Sequence, residues 1–309
     1  MNKSFISWAK FFIGWPLSFI SIIFIVKLIF DKSEGLKISA SEINFTYLIL
    51  GVLTFLVFFL MWSFRWWLEI RERGYSLNFR ENTYRFSFSQ LKRYTPGNIW
   101  SFLSLGEQFA KLNVDRKTIA ISILGDIQLV VIGCTVASLF ALPWLTTGGA
   151  FQTKISSLLP ISLLAISICF FITGLIYRRK YGGKESVFNS FFLPGFNLKS
   201  KLKLCLVSVL TYFVFGIANY LVFASVFPTS TISFLTLSSF FVFSLLIGYL
   251  SFITPMGLGV REIVVVLGLS QIMSVQDAGV VSIFTRIVLI ISELLFLALI
   301  FLWQKTSKK

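Results

Sequence analysis

The 309-residue chain contains no histidine. The side chain that changes charge near neutral pH is therefore missing. This excludes histidine acid/base catalysis, phosphohistidine chemistry and most zinc sites. Charge is scarce as well: Asp, Glu, Lys and Arg make up 13% of the residues, against about 25% in soluble domains. Cysteine occurs three times, as Cys134, Cys169 and Cys205, always in an apolar run and never with Cys-x-x-Cys spacing. These read as small buried hydrophobes, which excludes a disulfide framework and a thiolate metal site. The chain has no Walker A lysine motif, no GxSxG, no HExxH and no acidic pair suited to a nucleotide-sugar metal. No enzymatic activity, cofactor or metal is expected.

What the chain has is apolar side chain. Hydrophobic residues make up 56%, there are 36 Phe, and the mean hydropathy is +0.84. A soluble fold of this size cannot hide so much, because its surface must meet water. The composition thus predicts an all-α polytopic membrane protein, a single integral-membrane domain over 1–309. The net charge of +15 fits cytoplasmic loops that face anionic lipid head groups, so no nucleic-acid partner is expected.

A helix needs about 20 apolar residues to cross the hydrocarbon core. Seven runs qualify: 11–30, 45–64, 118–142, 156–177, 204–227, 233–253 and 280–303. Two further stretches, 84–110 and 254–273, are apolar but interrupted by Pro and Gly. The expected architecture is about seven full spans plus two broken or re-entrant helical segments. The first run follows Lys3 and Lys10 but is too long for a signal-peptide core, so a retained span is expected.

Lys and Arg set the orientation. Residues 65–93 carry Arg65, Arg71, Arg73, Arg80, Arg85, Lys92 and Arg93, and residues 178–203 carry seven more cations. The connection 143–155 has only Lys154, and 228–232 has none. Placing both rich loops in the cytoplasm puts the N-terminus there too, in a cell (inner) membrane. Lys111, Arg116 and Lys117 also prefer that side, so 84–110 is expected to dip in and return, turning near Pro96-Gly97. If 254–273 does the same, the tail with Lys305 lies outside; the pattern favours this. Trp62, Trp66 and Trp67 beside Arg65 read as an interfacial aromatic belt.

The two interrupted stretches share a pattern. Residues 92–100 read KRYTPGNIW and residues 254–262 read TPMGLGVRE, with Pro96 and Pro255 159 positions apart. Each has Thr-Pro followed by Gly within two residues, and each precedes a run with an ionisable residue. This suggests two related halves, about 45–142 and 204–303, each giving a broken helix to one central site. Pro frees a carbonyl and Gly allows a tight turn. In lipid such backbone survives only where protein or water covers it, so a polar cavity is implied.

The first broken helix contributes Tyr94, Pro96, Gly97, Asn98 and Trp100. In the second, Thr254, Pro255, Gly257, Gly259, Arg261 and Glu262 suit a phosphate, with exposed amides followed by a guanidinium. A tight helix crossing that needs glycine is the competing explanation. Intramembrane charges cost about 2.5–3.5 kcal/mol each on insertion scales, which singles out Asp126, Arg286 and Glu293. Arg286 and Glu293 share a helix face but are too far apart to pair. Depth counting puts Asp126 and Arg286 both about 12 Å from the cytoplasmic face, so they are candidate partners.

KRYTPGNIW resembles the Lys-Tyr-x-Pro-Gly-x-x-Trp segment of flippase-like proteins related to the transmembrane region of lysylphosphatidylglycerol synthase. TPMGLGVRE is similar to that family's Pro-x-Gly-Leu-Gly-x-Arg-Glu signature, and the final span with Arg286 fits its usual ending. The resemblance runs over nearly the whole chain. It departs after Trp100, where Gly106-Glu107 stands in a region in which relatives often carry Arg. Asp126 replaces a frequent Glu. The resemblance implies handling of lipid-linked cargo. The family's soluble synthase domain has no counterpart in the sequence to Lys309, so lysyl transfer is not expected.

The expectation is therefore a flippase for a membrane lipid or polyprenyl-linked glycan precursor. Its head group would bind at Thr254–Glu262 and Arg286, with Asp126, Glu262 and Glu293 balancing charge. Partners would be that lipid and an envelope-biosynthesis protein such as a glycosyltransferase. Competing readings are a small-solute or ion transporter, a non-transporting scaffold for a glycan-assembly enzyme, and an enzyme acting on lipid phosphates.

Overall fold

The computed structural model describes residues 43–94, 99–141, 192–227, 233–251 and 257–306. The expected spans 11–30 and 156–177 lie outside them. Every described element is helical. We number the α-helices α1 (Phe45–Glu72), α2 (Phe79–Gln90), α3 (Ile99–Ala110), α4 (Arg116–Ala137), α5 (Leu198–Ala224), α6 (Phe234–Leu250), α7 (Val260–Leu269) and α8 (Val275–Thr306). Their starts are written in the sequence. Asn44, Asn78, Asp115, Asn197 and Ser233 each accept hydrogen bonds from N–H groups in the first turn of the following helix.

Among the described residues, four helices are long and apolar enough to cross a membrane: α1, α4, α5 and α8. That is fewer than the seven expected. Besides the two runs outside the described residues, the run 233–253 becomes α6, only 17 residues long.

Helix α5 is the axis of the bundle. It runs antiparallel to α1, as the paired levels Gly51 with Val222, Arg65 with Ser208, and Glu72 with Ser200 show. Gly51 permits this packing and Gly133 permits that of α4 on α5: a Cβ would stand 2.7 Å from Val222 in the first case and 2.6 Å from Ser208 in the second. Phe55, Phe58, Phe59, Tyr212 and Phe215 fill the space between with tilted and edge-to-face rings.

Helices α2 and α3 form an antiparallel hairpin. Arg85, midway along α2, donates to Gln108, late in α3. Both arms open toward the end of the bundle where α1 finishes and α4 begins. The expected turn near Pro96-Gly97 falls at 95–98, outside the described residues; α2 and α3 on either side of it pack against each other.

Helices α6 and α7 form a second hairpin from the opposite end. Gly248 of α6 lies against Gly257 and Arg261, and Phe240 lies against Gly268, so the two arms are antiparallel. Helix α8 then runs back along α7, where Ser282 donates to the Glu262 carbonyl. This changes the expected ending. The hairpin is built from α6 and α7 together, not from 254–273 alone. Helix α8 therefore finishes beside α2, where Phe79 meets Trp303 and Gln304 donates to Glu81. Lys305 lies at the cation-rich end instead of the far side.

That end carries Arg71, Arg73, Arg80, Arg85, Lys111, Arg116, Lys117, Lys199, Lys203 and Lys305, whereas the opposite end has no Lys or Arg among the described residues. The element order repeats: long helix, hairpin, long helix in α1–α4, then the same in α5–α8 with direction reversed.

Candidate functional site

The two hairpins meet on the middle third of α8. From one side, Arg93 sits in the 3-10 turn Leu91–Tyr94 that follows α2. Its Nη2 donates to Glu293 Oε2 at 2.7 Å, and Tyr94 Oη donates to the same oxygen at 2.5 Å. The Arg93 guanidinium lies 4.8 Å from the Trp62 ring centroid. From the other side, α7 begins with Gly259-Val260-Arg261-Glu262. The Arg261 Nη2 donates to Asn219 Oδ1 at 2.9 Å, and its guanidinium sits 5.1 Å from the Phe215 ring centroid. Two turns of α8 separate Arg286 from Glu293, and their partners differ: Glu293 meets Arg93 of the first hairpin and Arg286 meets Glu262 of the second.

Arg286 is the anomaly. It is 6% exposed, yet its Nε, Nη1 and Nη2 all lack a hydrogen-bond partner among the described residues. Its one ion pair is a loose contact of 3.7 Å to Glu262 Oε1, itself without a hydrogen bond. Arg261, 2% exposed, also leaves Nη1 without a partner. Buried guanidinium groups are normally held by several hydrogen bonds, because leaving donors unmade costs about 1–3 kcal/mol each. Two adjacent buried arginines with unused donors form a ready anion site.

The glycines have a mainly structural explanation. Gly257 (φ 65°) and Gly259 (φ 86°) occupy left-handed backbone. A Cβ on Gly257 would stand 2.5 Å from the Gly248 carbonyl. The tight crossing is therefore real. The Gly259 amide is also occupied: it donates to Glu262 Oε2 at 2.6 Å. The α7 N-terminus is capped by its own carboxylate, so unused donors in the second hairpin belong to the arginines and not to that amide.

Asp126 does not pair with Arg286. It binds Arg65 Nη2 at 2.6 Å, and Arg65 also donates to Ser208 at 2.8 Å and Tyr212 at 3.3 Å. Depth counting failed because Arg65 was assigned to a loop. Helix α1 instead continues to Glu72 and buries Arg65 completely. Arg93, also counted as a loop cation, is 8% exposed. The tryptophan belt needs the same correction: Trp66 is fully buried among Ile70, Phe86 and Phe109, and the Trp62 ring packs against Phe86.

The sequence reading thus missed Arg65, Arg93 and Asn219. The available signal was apolar periodicity running through Arg65 into Trp66, Leu68 and Ile70. Of the first-hairpin residues, Tyr94 joins the cluster and Trp100 is 48% exposed. Pro96, Gly97, Asn98, Thr254 and Pro255 lie outside the described residues.

A cavity of about 110 Å³ opens between the first hairpin and α6. Gln90, Arg93, Asp126, Tyr212 and Tyr249 give it polar groups, and Phe58, Trp62 and Phe215 give it aromatic walls. It has room for several waters, which its polar groups can hold. Leu289, which also lines it, lies on α8 between Arg286 and Glu293.

No protein-family model matches this chain, and no curated protein matches it either.

Proposed function

We propose that the chain moves the phosphate head group of a lipid or polyprenyl-linked glycan precursor across the cell (inner) membrane, with Arg261 and Arg286 as its anion contacts. The observation that carries this is Arg286, a buried guanidinium whose nitrogens make no hydrogen bond and only a loose ion pair to Glu262. A residue kept for stability alone would be poorly served by such an environment, since replacing buried ions by apolar groups is often neutral or stabilising.

The opposed hairpins supply the rest. Each brings broken backbone and charge to the centre from a different face, a layout suited to opening on one side at a time. The ion pair of Arg93 with Glu293 and that of Arg286 with Glu262 tie the hairpins to α8. Breaking one pair and then the other would release them in turn. The likeness of KRYTPGNIW and TPMGLGVRE to flippase-like sequences points the same way. The cation-rich end would face the cytoplasm, with the N-terminus on that side.

The test is lipid movement in proteoliposomes containing a fluorescent anionic phospholipid. Arg261→Glu should abolish movement while the protein still inserts and unfolds at a normal temperature. Full activity of that variant refutes the proposal.

A further inference from the structure

The charge count of the cluster limits what the site can hold. Arg93, Arg261 and Arg286 face Glu262 and Glu293, three guanidinium groups against two carboxylates, all at most 8% exposed. Glu293 is matched by Arg93, and Glu262 is placed against Arg286. Arg261 has the neutral Asn219 amide and the Phe215 ring, and feels the Glu262 carboxylate only from beyond ion-pair range; no carboxylate among the described residues pairs with it directly. Tyr94, within electrostatic range of Arg261 and Arg286, contributes a neutral hydroxyl that is already donating to Glu293. The nearby pair of Arg65 with Asp126 is neutral as a unit. The sequence at 95–98, TPGN, and at 252–256, FITPM, carries no charged residue. Among the described residues, one positive charge is left over in a buried setting, where uncompensated charge is expensive.

We propose that the cargo group bound here carries a single negative charge, as a phosphodiester does, and that this count sets selectivity. The inference rests on the anion-site reading above and narrows it. A singly charged phosphodiester brings the cluster to neutrality and accepts the unused donors of Arg286 and Arg261 Nη1. A zwitterionic phospholipid supplies the phosphate but brings its own ammonium, so the excess remains. A diphosphate brings two or more negative charges and overshoots. Glu262 sets the count without blocking the site: its Oε2 is fixed on the Gly259 amide, and its Oε1 stays loosely against Arg286.

The experiment measures binding to the full chain in detergent. The probes are dihexanoyl phosphatidylglycerol, dihexanoyl phosphatidylcholine, farnesyl diphosphate, and inorganic phosphate at a pH where it is mostly singly charged. Phosphatidylglycerol should bind roughly tenfold to a hundredfold more tightly than phosphatidylcholine, the scale of one charge-assisted hydrogen bond. Glu262→Gln keeps an oxygen acceptor for Gly259 and raises the excess to two charges, so the preference should move toward farnesyl diphosphate by a similar factor. Arg261→Gln brings the excess to zero and should erase the preference for phosphatidylglycerol over phosphatidylcholine. Thermal unfolding of each variant identifies any that fails to fold, and the wild-type ranking alone still decides.

Equal binding of the two phospholipids overturns the charge rule while leaving the anion site standing. So does a ranking that neither substitution changes in folded protein. Inorganic phosphate competing as well as phosphatidylglycerol supports the rule and assigns it to a soluble phosphate. Binding of none of the anions overturns the rule and the anion site together.

Discussion

Two buried charged residues in this bundle should respond to mutation in opposite ways. Asp126→Ala removes the carboxylate that Arg65 holds at 2.6 Å. Arg65 is fully buried, so it is left as an uncompensated cation. Breaking such a pair costs about 3–5 kcal/mol. Arg65 keeps its bonds to Ser208 and Tyr212 and its place 5.5 Å from the Tyr212 ring, which argues for the lower end, about 3 kcal/mol. Arg286→Met removes a guanidinium that has no hydrogen bond to lose. It relieves a desolvation penalty of several kcal/mol and fills the space with a chain of similar length. Glu262 loses a partner at 3.7 Å but keeps the Gly259 amide. The two effects nearly cancel, so stability should stay within about 1 kcal/mol of wild type or rise. Thermal unfolding in phospholipid nanodiscs, followed by tryptophan fluorescence, separates the two cases. The Arg286 variant should unfold near wild type yet move no lipid. If Arg286→Met destabilises as much as Asp126→Ala, then Arg286 is a structural ion-pair member and the anion-site argument is wrong.

Gly257→Ala should weaken the second hairpin by at least about 1–2 kcal/mol from left-handed backbone alone. The contact with the Gly248 carbonyl adds to this, so the unfolding midpoint should fall; an unchanged midpoint means the crossing at Gly248 is looser than 2.5 Å implies. In a chain stripped of its native cysteines, single cysteines at Ser76 and Lys111 should both label from the cytoplasmic side, and one at Gln271 only from the other. Labelling of Lys111 and Ser76 from opposite sides would mean that the α2–α3 hairpin crosses.

Hydropathy alone told that the chain lives in a membrane and is helical, because twenty consecutive apolar residues have no other stable solution in lipid. Gly257 and Gly259 marked the left-handed backbone that precedes α7, because glycine adopts it without a Cβ clash. Helix caps were equally local, since Asn, Asp and Ser act on amides two or three residues away. Pairing was not local. Arg65 and Arg93 looked like loop cations because hydropathy averages a charge with its neighbours and cannot see a carboxylate 61 or 200 positions away. The second hairpin was misplaced for a related reason: 233–253 is apolar enough to span, and only packing against α5 and α7 shows where its depth ends. Tertiary structure alone decided that Asp126 belongs to Arg65, that Glu262 caps its own helix, and that Arg286 is left with unused donors in the centre of the bundle. Each of these depends on which helix faces are brought within a few ångströms of each other, a relation between distant segments that no single segment encodes.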